Sequence, residues 1–252
     1  MSLLFPDRCP ACGELLDGIP KDEDLLCRSC RYRWELEKHH PCPDCGLSED
    51  ICGCSRDVDS LTRHLVRYVS EMSGEEPLPL PNRLILAAKE RYDRRLYSFL
   101  ASELAVIIGE LAYGDNSVII TSPPRGFLSV VRTGTDQGAG IAKLAAKYAG
   151  LRYKKLILRR GSSEQKLLSA AGRTENAEKS YRLVRGAAKI CRGRHIILFD
   201  DIITTGATVS ACQKLLYDCG AMQVSTAALS LSRSSRIVKK INRRYKTDET
   251  EE

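Results

Sequence analysis

Apolar residues are patterned most strongly between 84 and 112. There they recur at Ala88, Tyr92, Leu96, Phe99, Leu100, Leu104, Ile107, Ile108 and Leu111, the three-to-four spacing that builds one apolar stripe along a helix. The spacing predicts a single long helix. Residues 118–121 form a short β-rich run ending in Ser122-Pro123-Pro124-Arg125-Gly126, and the alanine-rich stretch 136–149 reads as a second helix. Apolar runs at 156–158, 195–199 and 223–231 predict three further strands, with a helix at 209–219 between the last two. Strands alternating with helices imply an α/β fold, a mostly parallel sheet with flanking helices on both faces.

Prolines and polarity divide the chain around this core. Pro77, Pro79 and Pro81 alternate with leucines; each removes a backbone donor and biases the residue before it to extended geometry. Residues 61–83 therefore read as a connecting segment with a Pro-rich linker, placed between a cysteine-rich segment at 1–60 and the α/β domain at 84–232. The polar tail at 233–252, basic up to Lys246 and acidic at its end, is expected to continue as a helix and fray. No apolar run approaches the ~20 residues of a bilayer span, so a soluble chain without a membrane span is expected. Its start, Met1 to Phe5 followed by Pro6, Asp7 and Cys9, offers neither a basic leader nor a long apolar segment, which predicts a cytoplasmic location.

Charge sharpens the division. The total of +7 hides an acidic start, since residues 1–60 hold 7 basic and 13 acidic side chains, a net of −6 that leaves +13 for the remainder. Residues 151–194 alone carry 13 Lys or Arg against Glu164, Glu175 and Glu178. Such a block suits an anionic partner, although a solvated basic face has the same composition.

Eight of the 11 cysteines lie before Ser55, mostly in pairs two residues apart, a clustering that favours metal over disulfides. Cys9 and Cys12 are separated by fourteen residues from Cys27 and Cys30, close to the four-thiolate pattern of a structural zinc ribbon. Cys42 and Cys45, then Cys52 and Cys54, make a tighter second set, in which His39 or His40 is an alternative ligand. Four protein ligands close a tetrahedron and leave no open position for a reacting water, so one or two structural zinc ions are expected. Because the segment is acidic, docking onto the basic domain or another protein is favoured over independent DNA binding.

The chemistry-bearing stretch is 195–208. His195-Ile196-Ile197-Leu198-Phe199 predicts a strand, followed by the acidic pair Asp200-Asp201 and the loop Thr204-Thr205-Gly206-Ala207-Thr208, which runs into a helix. Ligands of open α/β sheets sit beyond the carboxyl ends of the strands, where a loop and a helix N-terminus offer N–H groups to an anion. The loop is thus a phosphate cradle, and the carboxylates, which repel a phosphate, suit the hydroxyls of its sugar.

These residues resemble the phosphoribosyl pyrophosphate (PRPP) motif of type I phosphoribosyltransferases. The resemblance implies that fold for the α/β domain, Asp200 and Asp201 on the ribose hydroxyls, Thr204, Thr205, Gly206, Ala207 and Thr208 on the 5′-phosphate, and Mg²⁺ with PRPP. Arg159, Arg160, Lys166 and Arg173 are candidates for a pyrophosphate clamp or a basic hood. The cysteine-rich start, the linker and Gln165-x2-Leu168-x4-Arg173-x2-Asn176 ahead of the motif are further similar to the ComF competence family. In that likeness Lys89 matches the lysine of the long first helix, while residues 132–137, Arg-Thr-Gly-Thr-Asp-Gln, depart from the usual Arg-Gly-Phe-Asn-Gln by one inserted residue and a lost aromatic. Two functions are implied. One is an enzyme that transfers a phosphoribosyl group to an unidentified acceptor. The other is a non-catalytic module for nucleotides or single-stranded DNA in DNA uptake, with a competence helicase as partner and oligomerisation open.

Overall fold

A computed structural model describes residues 7–16, 25–38, 61–69, 78–90, 92–125, 136–159 and 180–233. The centre of the molecule is a five-stranded sheet, every pairing of which is parallel. Its strands are β1 (Thr62–Val69), β7 (Gln223–Arg233), β6 (His195–Ile203), β2 (Ile119–Thr121) and β3 (Arg152–Tyr153), in that spatial order. A separate antiparallel pair joins β4 (Ile157–Arg159) to β5 (Tyr181–Leu183).

β6 and β7 lie in the interior of this sheet, and their apolar runs bury on both faces, as central strands of a parallel sheet must. Alternation along β6 divides them cleanly. Ile197 and Phe199 join a first core beneath α1 (Arg28–Lys38), α2 (Leu80–Glu90), α3 (Arg94–Ala112) and α4 (Gln137–Tyr148). Ile196 and Leu198 join a second core beneath α5 (Ala187–Cys191) and α6 (Ala207–Asp218). Helices α3 and α4 cross closely because Gly140 brings the α4 backbone against Tyr97, where a Cβ would sit 3.3 Å from the ring.

The helix expected over 84–112 is two helices. Asp93, in extended backbone geometry, accepts hydrogen bonds from the N–H groups of Arg95 and Leu96 and so starts α3 afresh after α2 ends. The linker is shorter than its prolines suggested: α2 opens at Leu80 with Pro81 in its first turn, where a missing N–H costs nothing. Within the segment read as a connector, β1 forms the sheet's edge beside β7. At the other end β7 continues through Arg233, so the sheet takes in the first residue assigned to the tail. No helix among the described residues is long and apolar enough to cross a membrane.

The described residues of the cysteine-rich segment, 7–16 and 25–38, pack against this core. Leu25, Leu26, Cys9, Cys30 and Trp34 are buried with α2 and α3, and the Trp34 ring lies 5.4 Å from that of Phe99. Polar contacts close the seam: Lys38 and Arg31 of α1 meet Glu103 of α3 at 2.6 and 3.5 Å, and Arg95 meets Asp7 at 2.7 Å. At α1, then, the cations come from the acidic segment and the carboxylate from the basic domain, the reverse of the overall charge balance.

Candidate functional site

β6 runs past Phe199 as far as Ile203, pairing Ile202 with Ser230 and Ile203 with Leu231, so the acidic pair stands on strand rather than loop. Period-two geometry then sends the two carboxylates to opposite faces. Asp200 faces the α6 side, where its charge acts on Cys212 and Tyr181, and Asp201 faces Lys89 of α2 and Arg125.

Asp201 is held by three elements. Its Oδ2 lies 2.7 Å from Nη2 of Arg125, which follows β2, and 3.1 Å from Nζ of Lys89 on α2; its Oδ1 accepts from the N–H of Ile202 at 2.8 Å. Buried Gln137, the first residue of α4, ties these cations together. Its Oε1 accepts from Nη1 of Arg125, and its Nε2 donates to the Lys89 carbonyl at 2.7 Å. Burial opposes the charge on Asp201, yet Lys89 and Arg125 outweigh it and hold the carboxyl below the usual carboxylate range. Asp200 has no ion-pair partner among the described residues; its Oδ1 accepts from the N–H of Asp201 at 3.0 Å. Burial, and then the negative Asp201, push its carboxyl up to about 8.

Beyond the pair the chain turns through Thr204 and Thr205, both exposed, to Gly206 at φ 73°, a left-handed conformation that suits glycine. Gly206 is the N-cap of α6, and no side chain caps the helix start; the first helical bond runs from the N–H of Ser210 to the Gly206 carbonyl at 2.8 Å. The Ala207 N–H makes one long contact to Oγ1 of Thr205 at 3.4 Å. The first-turn donors of a twelve-residue helix are thereby left without a side-chain cap, beside the exposed Thr204 and Thr205, while Thr208 is hydrogen-bonded to Tyr181.

Of the four basic candidates only Arg159 is among the described residues, and it stands beside Tyr181, which is hydrogen-bonded to Thr208 of the loop. Arg159 lies on β4 with its guanidinium over the Tyr181 ring at 6.0 Å. Arg160, Lys166 and Arg173, and the whole Gln165 to Asn176 pattern, lie outside the described residues. His195 sits at the far end of β6, roughly 20 Å from Asp201 at ~3.3 Å per strand residue. It is buried there, shares a 2.8 Å hydrogen bond with Ser225, and burial pushes its pKa down. It therefore serves the strand, not the ligand. Sequence reasoning gave no role to Arg125 and treated Gln137 only as the end of the altered 132–137 stretch; their contacts with Asp201 and Lys89 span 76 and 48 residues. The available signal was a cation directly after the strand that pairs with β6.

At the N-terminus, the ligand atoms of Cys9, Cys12, Cys27 and Cys30 all lie within 4.8 Å of one another, with Cys12 and Cys27 at 3.6 Å. Tetrahedral thiolates at ~2.3 Å from an ion stand about 3.8 Å apart, so the set fits one thiophilic ion. Cys9 lies in a tight turn closed by Gly13 N–H to Cys9 carbonyl at 2.8 Å; Cys27 directly precedes α1 and Cys30 lies within its first turn. Burial pushes the Cys27 thiol up to about 11 and Cys30 higher, a cost of ionisation that a bound dication would offset. Cys42, Cys45, Cys52 and Cys54 lie outside the described residues, as do His39 and His40.

No family model matches the chain. Among curated proteins it is similar to the DNA utilization protein YhgH of Escherichia coli O6:H1, 36% identical over 217 residues, covering 81% of this chain and 89% of that one. It is also similar to the competence protein ComFC of Streptococcus pneumoniae, 25% identical over 248 residues, covering 88% and 99%. Among solved structures, a crystal structure of adenine phosphoribosyltransferase is matched with a TM-score of 0.38 and 18% identity over 55% of this chain and 71% of that one. At 36% identity across most of both chains, this protein belongs with YhgH and ComFC to the ComF family.

Proposed function

We propose that the protein binds a ribose 5-phosphate ligand, PRPP foremost, beyond the carboxyl end of β6. The observation that carries this reading is the sequence of parts at one strand end: two carboxylates, then a left-handed glycine that opens α6 without a side-chain cap. The free N–H groups of α6 and the threonine hydroxyls take the 5′-phosphate, and the carboxylates of Asp200 and Asp201 take the sugar hydroxyls. Mg²⁺ belongs with the pyrophosphate of PRPP, since this ion is held mainly by phosphate oxygens with one or two carboxylates. Asp200, which no described cation neutralises, is the carboxylate suited to it. In phosphoribosyl transfer the bond from the anomeric carbon to pyrophosphate breaks as an acceptor attacks, and a carboxylate near the sugar stabilises the positive charge that develops there. The Cys9, Cys12, Cys27 and Cys30 set holds structural zinc. The names of the relatives, a competence protein and a DNA utilization protein, support a role in competence or DNA utilization.

Titration calorimetry with PRPP and Mg²⁺ tests the ligand. Wild type releases heat, and the Asp200→Asn/Asp201→Asn double variant loses it; equal heats from both proteins would refute the reading. A screen for PRPP-dependent pyrophosphate release over bases and amines then tests turnover.

A second reading, a nucleic-acid module, is favoured by one observation. Residues 137–159 and 180–194 contain no acidic side chain, and expose Lys143, Lys147, Arg152, Lys154, Arg182 and Lys189 among their cations. A positive surface of this kind tracks a phosphate backbone without reading sequence. It predicts single-strand binding that weakens steeply with salt, and absence of binding at low salt would end it.

A further inference from the structure

Gln137 lies far from the phosphate loop in sequence, yet it is almost fully buried and both ends of its amide are used. One end serves a helix terminus. The Lys89 carbonyl belongs to the last turn of α2, where carbonyls have no partner within the helix, and the Gln137 amide N–H satisfies it at 2.7 Å. The other end accepts from the Arg125 guanidinium, whose second nitrogen reaches Asp201 at 2.7 Å. The Lys89 ammonium reaches the same Asp201 oxygen at 3.1 Å. One amide thus fixes the backbone that carries one cation and the side chain of the other, and both cations converge on one carboxylate.

We propose that Gln137 is a positioning residue for the candidate site: by bridging α2 and Arg125 it locks Arg125 and Lys89 onto Asp201 and so fixes where that carboxylate and its two cations stand for the ligand. The proposal rests on the ribose 5-phosphate reading for its consequence, though not for the bridge itself. Four elements meet here, namely the end of α2, the segment after β2, the start of α4 and the end of β6. Gln137 is the one uncharged side chain of the four groups. Its geometry is therefore independent of pH, which suits a part whose task is orientation.

Two measurements on the full chain test it. The first needs no ligand. In wild type, phenylglyoxal labels Arg125 slowly; in Gln137→Met, labelling of Arg125 rises at least about fivefold, while exposed Arg94 and Arg152 keep their rates and so report that the fold is intact. An unchanged Arg125 rate would overturn the proposal. The second uses ribose 5-phosphate as probe in a double-mutant cycle. Gln137→Met and Arg125→Met each weaken binding, and the double variant binds no worse than Arg125→Met alone, because Gln137 acts through Arg125. Additive losses would overturn that route of action. Should Gln137→Met not fold, Gln137→Asn, one methylene too short to span both partners, takes its place with the same expectations. A wild type that shows no affinity for ribose 5-phosphate would refute the proposed ligand, while the labelling arm still decides whether the bridge exists.

Discussion

Asp200 and Asp201 are adjacent and chemically identical, but opposite strand faces give them opposite electrostatics. The native state raises Asp200 to about 8, so between about 4, the ordinary aspartate value, and 8 it holds a proton that the unfolded chain has released. By linkage this contribution to stability falls as pH rises through that window. Asp201 has the reverse sign: its folded pKa is lowered, so its contribution is present above the ordinary carboxylate range and is lost as pH falls through the folded value. The two amide variants should therefore diverge. Asp200→Asn removes a charge that is unfavourable at high pH and raises the melting temperature at pH 8.5 relative to pH 5, by a few degrees against wild type. Asp201→Asn leaves Lys89 and Arg125 facing a neutral amide and lowers stability at pH 7 by about 1–3 kcal/mol. Melting curves of three proteins at two pH values check both signs, and equal behaviour of the two variants would contradict the division of faces.

The site depends on how β6 passes into α6, and this element boundary was largely legible. A run buried on both faces, an acidic pair and a glycine before a helix are local signals, and each has a local physical cause. What was illegible had long-range causes. β1 carries Arg63 and His64 among its apolar residues, so as an edge strand it reads like a polar connector until β7 is placed beside it. The break between α2 and α3 was hidden because apolar spacing continues across it, although Asp93 ahead of an apolar run was a capping signal in plain view. Arg125 offered only a cation after a strand, and Gln137 only its place at the end of the 132–137 stretch; their joint contacts with Asp201 and Lys89 are tertiary. At the β6–α6 boundary, Gly206→Ala is the informative change. Alanine at φ 73° costs about 1 kcal/mol, and nothing crowds the new Cβ, so backbone strain is the only source of the loss. The expected result is a melting temperature lower by a few degrees and weaker ribose 5-phosphate binding, with Thr204→Val, at an exposed position, weakening binding while sparing stability.

At the scale of the whole molecule, the question is whether the cysteine-rich segment melts with the sheet or apart from it. A short segment of this kind buries too little apolar surface to fold unaided and draws most of its folding free energy from bound metal. Here, however, Trp34 is fully buried against α3, and Cys9 and Cys30 belong to the same apolar cluster as Phe99, Leu100 and Leu104. Glu103 is gripped by Arg31 and Lys38 across that seam. Losing the metal should then expose one side of α3 as well as unravel the knuckles. With zinc in the four-cysteine set as proposed, stripping it with a strong chelator, or replacing Cys9 and Cys12 by serine, is expected to lower the midpoint of the main unfolding transition by several degrees rather than to add a separate early one. Trp34→Ala should do the same without touching a thiol, at a cost of about 3–5 kcal/mol typical of a large buried aromatic. Calorimetric scans with near-ultraviolet circular dichroism, which follows Trp34, the sole tryptophan, distinguish the cases. If the tryptophan signal is lost well below the main heat-absorption peak, the segment is a tethered module; if the two coincide and shift together on zinc removal, the metal set is part of the scaffold that places α2, and with it Lys89, over Asp201.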